Sequence, residues 1–463
     1  MGADKDIIVA FELGSSAIRG IAGRKEADGG MQILAIEQER IGGIIRRGVI
    51  YNIDKTKSAI ERIKERLNEK LGVVIKRAYV GIAGQSVHTE NNRVKRIMDS
   101  RIKVSQELVD SLMDENRNTQ YPDREILEVI PQEYHMGINS DIDPVGTQTD
   151  QIEGRYMNVV ARTQLQENIR RCMREAGLDV VELFTTPLIL ADSLIPDTEK
   201  RSGCAIIDFG AETTTIAIYT KNILRHLATI PLGGNNMTND IVSLKKVEFE
   251  EAESLKKKYG AALIEKKNSD DYKTISISND RKIDELELKQ IVSARTEEII
   301  ANIWSQIEKG KWQDELLSGI ILTGGGAVLE GLSDAIALPK NFSTNRIKIA
   351  KDLILGTPTS SDVNTKDIEG LNAVIALLLH GNESCATEVM AEEVEVPVEE
   401  EVLEQEQPKT EEPTVQETDP ETNPETEENI EEKEEEKKEE KKKKSSALSK
   451  FGRILRDLVS SDE

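Results

Sequence analysis

The sequence contains few residues of the types that build metal, redox or nucleic-acid sites. Among its 463 residues are three cysteines and four histidines, and Cys172, Cys204 and Cys385 are too far apart for a metal-binding or redox motif. Aromatic residues make up 3% of the chain, and no basic stripe is interleaved with them. We therefore expect no cysteine or histidine metal site, no redox centre and no binding of nucleic acid.

The sequence also lacks long apolar runs. None approaches the roughly 20 residues that span a bilayer, and residues 1–6 contain no apolar core of a signal peptide. We therefore expect a cytoplasmic protein. Its length allows two or three domains, each with a full hydrophobic core.

The formal net charge of −24 is concentrated near the C-terminus. Residues 386–440 contain 24 acidic and 4 basic residues, whereas residues 441–463 contain 3 acidic and 7 basic residues. The remaining residues, 1–385, carry a net charge of −8. This charge is typical of a mildly acidic globular body that is followed by a tail of different composition.

Residues 203–220 predict a hairpin that can bind phosphate. Two apolar runs flank Asp208, Gly210 and the hydroxyl groups of Thr213 and Thr214, which is typical of two antiparallel strands joined by a tight loop. Backbone N–H groups and hydroxyls in such a loop bind phosphate oxygens, and the carboxylate can hold Mg²⁺ through water. A plain hairpin with a glycine turn is the alternative.

Residues 7–23 repeat this pattern. An apolar strand is followed by Glu12, Gly14, Ser15 and Ser16, and then by a second strand. Two copies about 200 residues apart indicate a duplicated architecture in which each half supplies one phosphate loop.

Two further glycine-rich segments follow predicted strands. Residues 230–236 contain two consecutive glycines, and residues 323–327 read Thr-Gly-Gly-Gly-Ala directly after the buried strand predicted at 319–322. Glycine lets the backbone approach a flat or anionic ligand closely. A plain turn from strand to helix is the alternative for the second segment.

Residues 84–162 differ in pattern from their surroundings. Helical periodicity is found at residues 102–118, and strand patterns at residues 126–136, 137–150 and 156–161. This region predicts a small inserted α+β unit. Long amphipathic helices are predicted on either side of it in the chain, among them residues 54–71 and 285–308.

These features resemble the superfamily of actins, heat-shock ATPases and sugar kinases. Within it, the chain is similar to the FtsA family of bacterial division proteins in the motifs VIPQEYHM at 129–136, DPVG at 143–146 and LRH at 224–226. The resemblance covers nearly all of residues 5–382. It implies an α/β, actin-like two-lobe ATPase fold with an inserted small α+β subdomain.

The resemblance also implies domain boundaries. The core of lobe 1 is expected at residues 1–83 and 164–196, with the inserted division-protein subdomain at residues 84–163 between them. The core of lobe 2 is expected at residues 197–235 and 313–385. Residues 236–312 are expected to form a subdomain of lobe 2 that binds FtsZ.

By position, the resemblance implies an ATP site with Mg²⁺ held through water by Glu12 and Asp208. The residues implied to contact ATP are Gly14, Ser15, Ser16, Asp208, Gly210, Thr213, Thr214, Gly233, Gly234, Asn235, Glu253, Lys256, Gly324, Gly325, Gly326 and Ala327. The second loop departs from the superfamily pattern, because Ala211 and Glu212 replace two glycines and Thr215 replaces an aspartate. We therefore expect ATP binding with little or no turnover, and no catalytic residue is assigned.

Arg295 and Glu298 fall where FtsA proteins contact the C-terminal peptide of FtsZ, the tubulin homologue. A surface ion pair between residues three apart on a helix is the alternative.

The tail predicts two segments. Residues 386–445 are rich in glutamate and poor in apolar residues, which is typical of a disordered acidic linker. Residues 446–463 predict an amphipathic helix that lies on anionic membrane lipids, and docking onto the body or onto a partner is the alternative. The residues expected at the membrane are Leu448, Lys450, Phe451, Arg453, Ile454, Leu455, Arg456, Leu458 and Val459.

Taken with these features, the resemblance implies a cell division protein that binds ATP and polymerises. The expected partners are FtsZ, other copies of the chain, later division proteins through the insert, and anionic lipids. The expected location is the cytoplasmic face of the cell inner membrane at the septum, with peripheral attachment. The alternatives are a small-molecule kinase of the same fold and the actin-like protein of pilus assembly, since the insert argues against the rod-shape filament protein.

Overall fold

The structure is a computed structural model that describes residues 7–26, 29–264, 272–277, 281–361, 363 and 370–388. The terminal helix expected at residues 446–463 lies outside these residues, as does the acidic linker after its first three residues.

The elements follow one another along the chain in four stretches. The first contains β1 (Ile7–Leu13), β2 (Ala17–Lys25), β3 (Met31–Arg40), β4 (Ile45–Arg46), β5 (Val49–Ile50), α1 (Ile53–Leu71), β6 (Val73–Ile75) and β7 (Arg77–Ile82). The second contains β8 (His88–Lys103), α2 (Gln106–Arg117), β9 (Arg124–Met136), β10 (Asn139–Asp141) and β11 (Gln148–Arg162). The third contains α3 (Thr163–Glu175), β12 (Asp179–Thr185), α4 (Thr186–Leu194), α5 (Asp197–Ser202), β13 (Cys204–Phe209), β14 (Thr214–Thr220), β15 (Ile223–Ile230), α6 (Gly234–Lys245), α7 (Phe249–Tyr259), β16 (Thr274–Ser276), β17 (Lys282–Asp284) and α8 (Glu285–Lys309). The fourth contains β18 (Gly319–Thr323), α9 (Leu332–Ala337), β19 (Ile347–Ile349), α10 (Leu353–Gly356), α11 (Asn372–His380) and β20 (Ala386–Glu388).

Two large sheets organise the described residues. The first has the order β12-β7-β1-β2-β3, and we call the part of the chain built on it lobe 1. The second has the order β10-β9-β11-β8-β15-β14-β13-β18-β19. We call the part built on β13–β15, β18 and β19 lobe 2, and the part formed by β8–β11 and α2 the insert.

Helix α1 shows how local sequence sets an element of lobe 1. The Asn52 side chain accepts a hydrogen bond from the Lys55 backbone N–H at 2.9 Å and caps the N-terminus. Gly72, at φ 64°, ends the helix in the left-handed conformation. Ile60, Ile63 and Leu67 recur at helical spacing and are fully buried against the sheet. The helix predicted at residues 54–71 is thus confirmed.

Strand β13 is shared by two hydrophobic cores. Cys204 and Ile206 pack into the core of lobe 1, whereas Ala205 and Ile207 pack into the core of lobe 2. Successive side chains of a strand point to opposite faces, so both faces of this strand are buried. This explains its continuous apolar sequence. It also places Asp208, the next residue, at the end of a strand that lies between the lobes.

The insert continues the sheet of lobe 2. Strand β8 pairs with β15 at His88 and Ala228, so the sheet runs without a break from the insert into lobe 2. The insert also has its own small core, in which Leu112 of α2 packs with Val94, Tyr134 and Tyr156 of the strands. Its elements run from residue 88 to residue 162, and the boundaries expected for it, residues 84–163, stay a prediction.

Two expectations within these regions were wrong in part. The helix expected at 102–118 begins at Gln106, because Ile102 and Lys103 still pair with β11 as the end of the long strand β8. Of the strand expected at 137–150, only β10 (Asn139–Asp141) and the first three residues of β11 are present. Residues after β10 form a turn with Gly146 at φ 92°, and β11 begins only at Gln148.

Candidate nucleotide site

The first loop predicted to bind phosphate connects β1 to β2, which form the predicted antiparallel hairpin. The Gly14 backbone N–H donates to the Ala17 carbonyl at 3.1 Å and closes the turn. A Cβ atom at position 14 would lie 2.9 Å from the same carbonyl oxygen, so the turn requires glycine. Ser15 is half-buried and Ser16 is exposed, so both lie at the surface of the tight loop.

The second loop connects β13 to β14 in the same way. Gly210 donates its backbone N–H to the Thr213 carbonyl at 2.9 Å, and a Cβ atom at position 210 would lie 2.8 Å from that oxygen. The Thr214 hydroxyl is fully buried and donates to the Leu232 carbonyl at 2.9 Å. Thr214 therefore holds the loop from beneath, whereas Thr213 is half-buried and closer to the surface.

The glycine-rich turn after β15 packs against the second loop. Gly234 donates its N–H to the Gly210 carbonyl at 3.0 Å, and Asn235 donates to the Ala211 carbonyl at 2.6 Å. A Cβ atom at Gly233 would lie 2.6 Å from the Gly210 carbonyl oxygen. The N-terminus of α6 therefore lies against the second loop. Its first N–H groups are used to hold that loop, so only the helix dipole is left to favour an anion there.

Glu253 and Lys256 tie α7 to the first turn of α6. The Lys256 ammonium donates to the Gly234 carbonyl at 3.1 Å, the Thr238 hydroxyl at 2.9 Å and Glu253 at 2.6 Å. The Thr238 hydroxyl also donates to Glu253 at 2.6 Å. Burial opposes ionisation of Glu253, but Lys256 and Thr238 outweigh it and lower the pKa of the carboxyl.

The triple-glycine loop follows β18, which lies parallel to β13 with Thr323 opposite Asp208. Gly324, at φ 85°, is so close to the second hairpin that a Cβ atom would overlap the Asp208 Oδ1 atom. Gly326 donates its N–H to the Phe209 carbonyl at 3.0 Å, and Ala327 is buried. Gly325 faces open space. The loop therefore lines the same end of β13 as the second phosphate loop.

The two carboxylates assigned to Mg²⁺ interact with each other. Burial raises the pKa of Asp208 to about 7, the negative charge of Glu12 contributes to this rise, and the Arg19 guanidinium opposes it. Glu12 is itself paired with Arg19, whose Nη1 atom lies 2.9 Å from Glu12 Oε2. One carboxylate from each lobe thus lies at the site, with one arginine to balance two charges.

The residues that depart from the superfamily pattern have partners in the structure. Glu212 Oε2 accepts a hydrogen bond from the backbone N–H of Arg47 at 2.6 Å, so its carboxylate is directed toward lobe 1. The Thr215 hydroxyl lies 3.4 Å from the Thr229 hydroxyl on the neighbouring strand β15.

Arg295 and Glu298, the two residues predicted to contact FtsZ, lie on α8, which is distant in sequence from the predicted phosphate loops. Arg295 binds Asp240 of α6 through two bonds, from Nε at 2.7 Å and Nη2 at 3.0 Å, and it also pairs with Glu298. The hydrogen bonds to Asp240 raise the pKa of Arg295. The surface ion pair considered as the alternative is present, and FtsZ contact at these residues stays a prediction.

Three residues that position the site were missed from the sequence. Arg19 could have been found, since a tight hairpin places it opposite Glu12. Thr238, which accepts a hydrogen bond from Lys256, could not be identified from the sequence, because α6 itself was not predicted. Arg47 could not be identified either, because it is 165 residues from Glu212, its partner, in the chain.

The motifs VIPQEYHM and LRH meet in the structure. Gln132 Nε2 donates to the Leu224 carbonyl at 3.0 Å, and Arg225 Nη1 donates to Gln132 Oε1 at 2.9 Å. Gln132 is buried at this junction.

The residues expected at the membrane, 448–459, lie outside the described part of the chain. Among the helices of the described residues, none is long and apolar enough to cross a membrane.

Comparison with known proteins identifies the family. The family model described as cell division protein FtsA matches residues 205–451. The cell division protein FtsA of Porphyromonas gingivalis is 30% identical over 374 residues, which cover 80% of this chain and 75% of that protein. This chain belongs to the FtsA family. FtsA of Pseudomonas aeruginosa is 28% identical over 331 residues, with 70% and 79% covered, and FtsA of Bacillus subtilis is 25% identical over 359 residues, with 76% and 80% covered.

A second family model, described as type IV pilus assembly protein PilM, matches residues 11–266. A solved chain of the PilM–PilN type IV pilus biogenesis complex superimposes with a TM-score of 0.54 at 16% identity, covering 80% of this chain and 97% of that chain. At this identity the likeness concerns the fold alone. The α/β, actin-like fold expected for an FtsA protein is confirmed.

Proposed function

We propose that this FtsA-family protein binds ATP between its two lobes. The observation that carries the proposal is the convergence of four backbone segments on the end of β13: the second hairpin loop, the glycine-rich turn at the start of α6, the triple-glycine loop and, through Glu12, the first hairpin. The first two hairpins supply N–H groups and the hydroxyls of Ser15, Ser16 and Thr213 for phosphates. Gly325, which faces open space, supplies a flat surface for the adenosine.

Mg²⁺ fits the carboxylates at this site. Asp208 and Glu12 bring two carboxyl groups together. Burial and the charge of Glu12 raise the pKa of Asp208, and Arg19 acts against this rise. Mg²⁺ prefers oxygen ligands and keeps several waters. The described residues contain no cluster of three or more potential metal-binding side chains, so phosphate oxygens and water must complete the coordination. Bound there, the ion would neutralise charge on the phosphates and on both carboxylates.

Turnover of ATP is proposed to be slow or absent. Thr215 stands where the superfamily carries an aspartate, and a hydroxyl paired with Thr229 cannot accept a proton at neutral pH as a carboxylate does. Glu212, the other acidic residue introduced into the loop, is directed toward Arg47 and away from its own loop. Steady-state phosphate release at a rate comparable to that of a metabolic kinase would contradict this proposal.

We further propose the role of a membrane tether in cell division. The actin-like body polymerises, binds the C-terminal peptide of FtsZ near Arg295 and Glu298, and recruits later division proteins through the insert. Residues 446–463 hold it peripherally on the cytoplasmic face of the inner membrane at the septum. Their alternation of apolar residues with Lys450, Arg453 and Arg456 supports binding to anionic lipids.

Co-flotation with liposomes that contain anionic lipid tests the tether. The full chain is expected to float and to carry FtsZ with it. A variant with Phe451→Glu and Leu455→Glu should leave both proteins in solution, because two charges on the apolar face oppose insertion. Arg295→Ala should float without FtsZ, whereas the control Arg62→Ala, which removes a similar surface ion pair with Glu39 in lobe 1, should carry FtsZ normally.

Two results would contradict the proposal. If the full chain stays in solution, the terminal segment does not bind lipid. If the full chain floats but never carries FtsZ, the protein is anchored for another purpose.

A further inference from the structure

A small hairpin of lobe 1 reaches the phosphate loops. Strands β4 and β5 pair through Ile45 with Ile50 and Arg46 with Val49, which leaves Arg47 and Gly48 as a two-residue turn. Both turn residues have positive φ, 51° and 77°, as a type I′ turn requires. This narrow turn presents two consecutive backbone N–H groups at its tip.

The two N–H groups bind one residue from each phosphate loop. Arg47 donates to the carboxylate of Glu212, in the second loop, at 2.6 Å. Gly48 donates to the hydroxyl of Ser15, in the first loop, at 3.1 Å. The turn therefore lies between the two loops that are proposed to hold the phosphates.

The turn is fixed in this position from behind. A Cβ atom at Gly48 would overlap Gly84 and lie 2.7 Å from the Ala83 carbonyl oxygen, so only glycine fits. The Gln85 backbone N–H donates to the Arg47 carbonyl at 2.9 Å. These contacts belong to the segment that leads from β7 into β8. The turn therefore cannot shift without disturbing the start of the insert.

The contacts of the turn differ in what they join. The bonds to Ser15 and Gln85 lie within the N-terminal part of the chain, whereas the bond from Arg47 to Glu212 joins lobe 1 to lobe 2. A nucleotide that is held between two lobes enters and leaves when the lobes separate. Separation must break the bond to Glu212 and can leave the other two intact.

We propose that Glu212 is a positioning residue that latches lobe 2 to the Arg47–Gly48 turn, and that release of this latch limits the exchange of nucleotide. This inference rests on the proposed binding of ATP in the cleft. It gives a role to the glutamate that departs from the superfamily pattern. The carboxylate acts as a hydrogen-bond acceptor from lobe 1 and is not a ligand of the nucleotide.

The test compares three variants of the full chain. Glu212→Ala removes the acceptor, whereas Glu212→Gln keeps an acceptor oxygen and removes the charge. Glu308→Ala is the control, since it removes an ion pair with Lys340 that lies within lobe 2. The first measurement is hydrogen exchange of the nucleotide-free protein in a peptide that contains Arg47. The second is the release rate of a fluorescent ADP analogue.

Hydrogen bonds to charged acceptors are stronger than neutral ones, and this one is partly exposed. We therefore expect Glu212→Ala to increase both the exchange rate of the turn and the release rate of ADP by about three- to tenfold. Glu212→Gln should remain within about twofold of the wild-type protein. The control should not change either rate.

The possible results distinguish a latch from a purely electrostatic effect of Glu212. If Glu212 acts only by repelling phosphate, both Glu212 variants would release ADP more slowly, and the latch is wrong. Unchanged exchange of the turn in Glu212→Ala would overturn it as well. If the wild-type protein binds no nucleotide, the proposed function fails, and hydrogen exchange still decides whether the latch exists.

Discussion

Replacement of Asp208 by asparagine should stabilise the nucleotide-free protein, and the gain should depend on pH. Asp208 lies at the end of β13, where burial and the charge of Glu12 raise the pKa of its carboxyl from 3.8 to about 7. The amide of asparagine has nearly the same shape and does not ionise. The substitution therefore removes the cost of the charge and preserves the volume of the side chain.

The magnitude follows from the pKa. A tenfold change in proton affinity corresponds to about 1.4 kcal/mol, so the ionised carboxylate lowers the free energy of unfolding by up to about 4 kcal/mol. Because the Asp208 side chain is half-buried and keeps some contact with solvent, we reduce this to about 2 kcal/mol. Because the folded pKa is higher than the unfolded one, the cost is absent below about pH 4, grows as the pH rises to about 7, and is constant above that.

Urea unfolding followed by tryptophan fluorescence is the appropriate assay, because Trp304 is buried in the core of lobe 2. It should be carried out with EDTA and without nucleotide, at pH 5 and at pH 8. The gain from Asp208→Asn should be clearly larger at pH 8. Asp110→Asn, on the exposed side of α2, is the control. An equal effect of Asp208→Asn at both pH values, or a loss of stability at pH 8, would refute the reasoning.

Two further substitutions test how the site and the insert are assembled. Gly324→Ala should lower stability by about 1–3 kcal/mol and abolish binding of a fluorescent ATP analogue, because the new Cβ displaces Asp208; Gly325→Ala, which enters open space, should keep its stability in the same thermal unfolding assay. Gln132→Ala should cost about 1–2 kcal/mol and speed hydrogen exchange in β9 and β15, since it removes two hydrogen bonds at a buried junction. The exposed Gln120→Ala should change neither quantity.

The hairpins and glycine loops could be predicted because their sequence patterns are local. A tight turn between two short strands needs glycine at a fixed place, and Gly14 and Gly210 show this requirement in the structure. The buried strands β13 and β18 could be predicted for the same reason, since their apolar runs are short and end at Asp208 and at Thr323. What the local pattern cannot give is the convergence of these loops on Asp208.

Helix α6 was not predicted, because its own sequence does not favour a helix. It begins with Gly234 and two asparagines, which favour turns. In the structure, Met237 and Ile241 are buried in the core of lobe 2, and Lys256 binds the Gly234 carbonyl. The helix therefore depends on contacts with α7 that are distant in sequence. Tertiary packing has overridden a weak local preference.

Strand β8 was missed because only four of its sixteen residues are apolar. Of its sixteen residues, only Val94 is buried. It forms a strand because it pairs with neighbouring strands. β11 pairs with it along most of its length, and β15 pairs with its first residue. Apolar side chains at every second residue indicate a strand with one buried face. Almost none of β8 is buried, so its sequence does not show this period.

The motifs on which the resemblance to the FtsA family was based meet at the junction between the insert and lobe 2. Gln132, in VIPQEYHM, and Arg225, in LRH, are separated by 93 residues in the chain and bind each other in the structure. Gln132 also has a second role, since its amide donates to the Leu224 carbonyl of β15. Because β8 and β15 share one paired position, the sheet alone fastens the insert weakly to lobe 2. The bonds of Gln132 and Arg225 add to those between Thr89 of β8 and Leu227 of β15. A movement of lobe 2 against lobe 1, such as release of the bond between Glu212 and Arg47 would permit, must therefore carry the insert with it or break these bonds.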